Sequence, residues 1–526
     1  EEILEKAVDL RERGKYDEAI DLLLHQAKQS FTDPNIPLVL SHCYILNDNL
    51  EKAIIYLEKA KSVNPNIALV GWNETRILLK QKKVNEALVI AKKTNKLFPD
   101  DVEGMGVLGS CLRVCGDIDE SKKYLEKAIQ LNPNYAEAYI NRGLISLVQK
   151  DKLNALSDLE KAHQLKPHNK DIWYIILSLK MEFKQFEDII ITSKAMLKID
   201  PTNAKIYANI ALSYQSLQKF EKAVLSYKKT ININPNYAEA YNNLGIILKE
   251  QGKLDEATEA YNKALSVKPD YAEAYNNMGV ALKEQSKLEE AIEALNKALS
   301  IKPDYATAKH MLSALTGNTN ETAPREYVEN LFDDYAKKFE TSLVDKLEYK
   351  IPKLIRNVLI EPNNNDTLGS VLDLGCGTGL LGSEIKNHCS MLQGIDLSNK
   401  MLAIAKQKNV YDKLSQFDIV EFLSSMPLDF DYYVALDVFI YVGELTEIFR
   451  LIKSRNTKPG HLVFSTEHTE LDGYHILKSG RYSHSKSYIE SLCEEFDYNI
   501  SHFSTVNLRK EKERFLTGGI YVLDST

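Results

Sequence analysis

Cysteine, tryptophan and long apolar runs are all scarce in this chain of 526 residues. Six cysteines (43, 111, 115, 376, 389 and 493) spread over that length make no disulfide framework. Cys111 and Cys115 stand one helical turn apart, with neither a second pair nor a histidine cluster to complete a zinc site. They read as small buried side chains, and no metal is expected. No stretch approaches the roughly 18 consecutive apolar residues of a membrane span; the longest lies around Ile172–Leu179. Basic excess is missing too: 66 Lys and Arg against 74 Asp and Glu leave a net charge of −8, which excludes the electrostatic footprint of a nucleic-acid binder. What is present, 44% hydrophobic and 27% charged residues, is too apolar for a disordered chain and ample for several cores. The chain opens at Glu1 rather than Met, which leaves room for a removed leader; a reducing, cytoplasmic compartment is the expectation.

Proline carries the first strong signal. Residues 65, 99, 133, 167, 201, 235, 269 and 303 are all proline, each 34 residues from the next. Ten residues past the proline stands Gly109, Gly143, Gly245 or Gly279, and twenty-two past it Ala87, Ala155, Ala223, Ala257 or Ala291. Such a clock predicts a helix–turn–helix unit repeated in series, with proline at the first helical position and Gly and Ala letting paired helices approach closely. Asp33-Pro34 and the Gly14–Ala19 segment add two less regular units, giving nine repeats to Lys302 and a capping helix over Tyr305–Leu315. The pattern resembles the tetratricopeptide repeat (TPR).

The clock stops at Thr316–Pro324, a polar stretch that reads as a linker. Beyond it, short apolar runs alternate with helical ones. Strands are expected at Val371–Leu374, Leu392–Ile395, Tyr432–Leu436, His461–Thr466, Asn499–Val506 and Gly519–Leu523, with helices at Ser398–Lys408, Leu445–Lys453 and Ser485–Phe496. The expected architecture is an all-α TPR solenoid over 1–316, a linker over 317–325 and an α/β Rossmann-like domain over 326–526.

Within that second half, Ser370-Val-Leu-Asp-Leu-Gly-Cys-Gly-Thr-Gly-Leu380 runs an apolar strand into three glycines and a helix. Glycine permits a tight turn and close approach of backbone to ligand. A dinucleotide fingerprint would need glycine where Leu380 stands. The alternating Gly375, Gly377 and Gly379 after Asp373 resemble instead the motif of class I methyltransferases that use S-adenosylmethionine (SAM). That resemblance implies that Asp373, Gly375, Cys376, Gly377 and Gly379 form the cofactor loop. It implies also that Asp396, with Leu397 beside it at the end of the second strand, grips the ribose. Asp418 would meet the adenine amino group, against the alternative of a solvated surface carboxylate. Asp437, after the fourth strand, would stand at the methionine end, while Phe439 and Tyr441 line the cofactor or belong to the core. Ahead of the sheet, Tyr327, Leu331 and Tyr335 share one helical face. By pattern alone they pack a core. The wording of residues 327–352, however, resembles the leader of a predicted methyltransferase family that carries TPRs, which makes Tyr335 a candidate lid residue.

A SAM methyltransferase needs an aligned acceptor and sometimes a base. Glu467 and His468 after the fifth strand, His484 farther on, and Tyr441 are the candidates, each with a structural alternative. No Asn-Pro-Pro-Tyr signature follows the fourth strand, which counts against an amide or nucleobase nitrogen as acceptor. In the repeats, Asn73, Asn141, Asn209, Asn243 and Asn277 recur eight residues past their prolines, interrupted by Val107 and Ile175. They resemble the ladder of O-linked N-acetylglucosamine transferase repeats, where asparagines bond an extended peptide; the plain alternative is a polar helix position. The expected function is methyl transfer to an unidentified acceptor, with a protein or peptide partner in the repeat groove. The repeats could otherwise pair two copies of the chain, or the whole could be a scaffold that binds cofactor without turnover.

Overall fold

The computed structural model describes residues 2–27, 33–336, 339–360, 367–511 and 514–525. The expected leader runs over 337–338, which lie outside them. The chain divides into two compact units, Glu1–Ala240 and Tyr241–Thr526.

Among the described residues the first unit is helical, with paired helices from Glu2–Glu12 and Tyr16–Ala27 to Ala204–Ser216 and Phe220–Ile233. The 34-residue clock has a direct physical basis. Ala87, Ala155 and Ala223 are fully buried, and a Cβ on Gly109 would lie 2.7 Å from Leu125 of the partner helix. Proline is placed differently from the expectation. Pro133, for example, follows the end of Ile118–Leu131 and precedes Ala136–Val148, so it lies in the turn between repeats rather than at a first helical position. Its missing N–H and its pressure on the preceding Asn132, held extended at φ −137°, stop one helix before the next begins. Each tight turn inside a repeat carries one left-handed residue, and these too keep the 34-residue period: Gly14, Asp48, Lys82, Gly116, Lys150, Lys184 and Gln218. Most are not glycine, so the turn is imposed by helix packing against a local cost of about 1 kcal/mol each.

The second unit continues the repeats with Leu254–Val267, Ala272–Glu284 and Leu288–Ile301, closed by Ala306–Thr316. The expected linker is not slack. Ala323 donates its N–H to the Tyr441 carbonyl, Gly443 and Glu444 donate theirs to the Glu321 carbonyl, and Thr322 bridges Val442. His310 Nε2 on the capping helix meets the Gly480 carbonyl at 2.9 Å and its ring packs 4.8 Å from that of Tyr327. The last repeats therefore belong to the same compact unit as the sheet, and the division of the chain falls inside the repeat array.

Among the described residues the sheet holds nine strands: β1 (Gly369–Leu374), β2 (Cys389–Asp396), β3 (Lys413–Gln416), β4 (Tyr432–Ala435), β5 (His461–His468), β6 (Tyr474–Ile476), β7 (Tyr482–His484), β8 (Tyr498–Glu511) and β9 (Arg514–Ser525). Their order is β3-β2-β1-β4-β5-β7-β6, with β9 antiparallel to β5 and paired to β8. β1 to β5 are parallel, as the strand–helix alternation requires. All six expected strands are present. β6 and β7 were not anticipated, being only three residues long. Their register brings the ends of β1, β2 and β4 to one edge, where open α/β sheets form a crevice.

Candidate functional site

β1 ends in a turn that only glycine accommodates at its first position. Gly375 has φ +75°, and a Cβ there would lie 2.4 Å from a Val438 methyl. The Gly375 and Cys376 amides both donate to the Ile395 carbonyl, at 2.8 and 2.9 Å, tying the turn to the end of β2. Gly377, at φ +53°, differs: a Cβ would meet nothing nearer than Phe339 at 3.9 Å, so its open side faces space. Its N–H donates to Asp396 Oδ2 at 2.8 Å, and the Ser398 N–H donates to Asp396 Oδ1 at 2.8 Å. Both carboxylate oxygens are thus held by backbone amides.

That space is a cavity of about 710 Å³. Asp373, Gly375, Cys376, Gly377, Asp396, Leu397, Asp418, Asp437, Tyr441 and Tyr335 all line it. The leader helix, Arg325–Tyr335, forms one wall. Tyr327, Leu331 and Tyr335, the shared face, all border the cavity, with Leu331 38% exposed rather than buried in a core. Phe332 packs edge-on against Tyr441 at 5.3 Å and Tyr335 against Phe339 at 5.7 Å. The Ser398 hydroxyl donates to Asp333 at 2.6 Å and Arg325 pairs with Glu421 at 3.0 Å, holding the leader over β2 and β3.

Burial pushes the Asp373 carboxyl up to about 7, against the opposing pull of the Tyr411 hydroxyl that donates to it at 2.7 Å and with help from the Asp396 charge. Burial likewise pushes Asp396 up to about 6, although the Ser398 and Gly377 amides favour its ionised form. Burial holds the Cys376 thiol protonated. Asp418 caps the helix Ile419–Ser425, accepting from Val420 and Glu421 through Oδ1.

At the opposite end of the cavity Asp437 sits in the left-handed region at φ +57°, a strained conformation for a non-glycine residue. Its carboxylate pairs with Arg509, which also pairs with Glu467. Glu467 accepts in addition from Arg481 Nε at 2.6 Å, and Arg481 Nη2 reaches Glu511 at 2.8 Å. The candidate bases are corrected here. Glu467 does not line the cavity: its side chain is 4% exposed and held between two guanidinium groups. His468 also stands outside the lining, its Nε2 toward Glu470 at 3.2 Å. His484 is fully buried, Nε2 on the Val442 and Gly443 carbonyls, and burial lowers it to about 4. Of the four, Tyr441 alone borders the cavity, its hydroxyl held protonated by burial. Phe439 is core, wholly buried against Phe464.

Sequence reasoning missed Arg481, Arg509 and Tyr411. The first two reach the site from just before β7 and from β8, long after the glycine motif, and nothing local marks them. Phe332 and Phe339 were within reach, since they flank Tyr335 at helical spacing. In the first unit's repeats Asn73 is fully buried, its amide donating to the Leu38 carbonyl at 3.0 Å, and Asn141 is buried on Arg113 and the Glu137 carbonyl. Asn209 is half-buried. In the second unit, Asn277 donates to Asn242 at 3.0 Å, and Asn242 to Asn243 at 3.2 Å. No helix among the described residues is long and apolar enough to cross a membrane.

Comparison with known proteins agrees with both halves. A methyltransferase-domain family matches residues 365–517, and TPR families match 38–67, 102–135, 213–252, 246–286 and 272–305. A ubiquinone biosynthesis O-methyltransferase of Dechloromonas aromatica is 36% identical over 101 residues, 18% of this chain and 42% of that protein. Hsp70-Hsp90 organizing protein 3 of Arabidopsis thaliana is 37% identical over 126 residues, 24% of this chain and 22% of that one. The chain spans about a quarter of the length of the Hsp70-Hsp90 organizing proteins it matches. Among solved structures, magnesium protoporphyrin IX methyltransferase from Synechocystis PCC 6803 with bound SAM aligns over 40% of this chain and all of its own, at 17% identity and a TM-score of 0.31. The chain is a TPR protein with a methyltransferase domain.

Proposed function

We propose that this protein is a SAM-dependent methyltransferase whose repeats bind an extended peptide or protein. One observation carries the reading: Gly377, with open space beside it, and Asp396, which accepts its N–H, line a single cavity that the leader helix also borders. The residues present suit the cofactor. Asp396 can accept from two vicinal ribose hydroxyls without giving up its amide bonds. Asp418 keeps Oδ2 for the adenine amino group, since capping uses Oδ1. Tyr335 and Phe339 close over the adenosyl group from the leader, and Asp373, Asp437, Cys376 and Leu397 complete the walls.

Bound SAM would supply an activated methyl group on a sulfonium. The chain's own part is then to align and to dehydrate. Phe332, Tyr335, Phe339 and Tyr441 exclude water, which strengthens every remaining polar contact. The Tyr441 hydroxyl orients the acceptor by hydrogen bonding rather than by removing a proton. Glu467 acts through Arg481 and Arg509 and is a positioning residue. In the second unit the peptide-binding role falls to Asn243 and Asn277, both half-buried and joined through Asn242.

Incubating the protein with methyl-labelled SAM and whole lysate tests transfer, and partitioning of label between macromolecules and small molecules identifies the acceptor class. The second reading, a scaffold that binds cofactor without turnover, is favoured by the engagement of Glu467, His468 and His484 outside the cavity. It predicts cofactor binding with no label transferred in any fraction.

A further inference from the structure

We propose that Arg481 clamps a carboxylate on the methyl acceptor, and that the acceptor has a planar apolar body; this rests on the methyltransferase reading above. The sheet order separates the cavity into two ends. Asp396 ends β2 and Asp418 follows β3 on one flank of β1, while on the other Asp437 follows β4, Arg481 precedes β7 and Arg509 lies on β8. The second end is left for the acceptor, and aromatic rings of Phe332, Tyr349 and Tyr441 wall it.

The Arg481 guanidinium is fixed from behind and open in front. Nε donates to Glu467, whose 4% exposed side chain no ligand can replace. Nη2 donates at the rim to Glu511, 47% exposed and therefore weakly held. Nη1 has no acceptor among the described residues, although Arg481 borders the cavity. Arg509 differs, with both terminal nitrogens engaged by Asp437 and Glu467. The free edge of a pre-oriented guanidinium in an aromatic-walled cavity selects a carboxylate. Glu511 already shows a carboxylate on the same group. Charge drawn into guanidinium hydrogen bonds is a poor nucleophile, so the carboxylate is a handle and the methyl is delivered to another group of the acceptor.

The test is calorimetry on the full chain with benzoate and benzamide, each with and without S-adenosylhomocysteine. Benzoate is expected to bind about tenfold more tightly than benzamide, the scale of one charge-assisted hydrogen bond. Arg481→Met should abolish that preference, Arg481→Lys should keep part of it, and Glu511→Gln should strengthen it by removing the competing carboxylate. Equal binding of the two probes by the unsubstituted chain, absence of benzoate binding, or a preference that survives Arg481→Met would each overturn the proposal. The probe comparison on the unsubstituted chain does not depend on the variants folding. S-adenosylhomocysteine is titrated separately, so its failure to bind strikes the cofactor reading and is not confused with failure of the clamp.

Discussion

Acidification should weaken cofactor binding through Asp396, and the size of the effect follows from the site. Burial raises this carboxyl to about 6, and the negative charge of Asp333 adds to the rise against the Ser398 and Gly377 amides. Only the ionised form accepts from two ribose hydroxyls while keeping both amide bonds. With a value near 6, about one molecule in ten is ionised at pH 5 and nearly all are at pH 8. The apparent affinity should therefore fall about tenfold between pH 8 and pH 5, close to 1.4 kcal/mol. The sign for folding is opposite. A carboxyl raised in the folded state is better tolerated protonated, so its contribution is full at low pH and is lost as the pH rises through about 6, and for Asp373 through about 7. Bound cofactor offsets that loss at neutral pH. Calorimetry of S-adenosylhomocysteine at pH 5, 6, 7 and 8 reads the effect directly. Asp396→Asn should bind more weakly and show a flat profile over the range. Asp373→Asn should leave the midpoint near 6, because Asp373, at about 7, is already mostly protonated when Asp396 titrates. A flat profile in the unsubstituted chain, or one that persists in Asp396→Asn, would refute the reasoning.

Three further outcomes are expected. Gly375→Ala should lower stability by about 2–4 kcal/mol, since a Cβ meets Val438 at 2.4 Å in a left-handed turn, whereas Gly377→Ala should cost about 1 kcal/mol but weaken S-adenosylhomocysteine binding more; urea midpoints and calorimetry separate them. His484, at about 4 when folded and about 6.5 when unfolded, stays neutral while the unfolded chain takes up a proton, so stability should fall as pH drops from 6.5 toward 4, by up to about 3 kcal/mol. Glutamine at 484 should reduce the slope of urea midpoint against pH in that window, and an unchanged slope would count against it. The double change Asn243→Ala and Asn277→Ala should reduce capture of peptide partners without altering cofactor affinity; partners retained in full in a pull-down would leave those amides without a binding role.

The sequence made the periodic and the local legible. Proline, glycine and alanine at fixed offsets marked the repeats because each repeat buries the same positions, as the burial of Ala87, Ala155 and Ala223 bears out. The glycine turn and Asp396 were legible because they lie within one strand–turn–helix segment. What failed was long-range or imposed by packing. Pro133 reads equally well as a helix start or a helix stop, and only the neighbouring helix ends decide. Glu467 looked like an exposed base because its partners, Arg481 and Arg509, lie 14 and 42 residues away. The left-handed turns at Lys82 and Lys150 carry no glycine to announce them. β6 and β7 are only three residues long.

The segment around Glu321–Ala323 has a consequence for how such a chain can be inherited. Its amides and carbonyls complete the backbone pairing of residues 441–444, of which Tyr441, Val442 and Glu444 line the cavity. A recombination event that cut the gene after the final repeat would strand those groups and unseat the wall carrying Tyr441. The two halves are therefore not freely exchangeable cassettes: the last helices and the sheet must travel together, and variation in repeat number is tolerated only upstream of them.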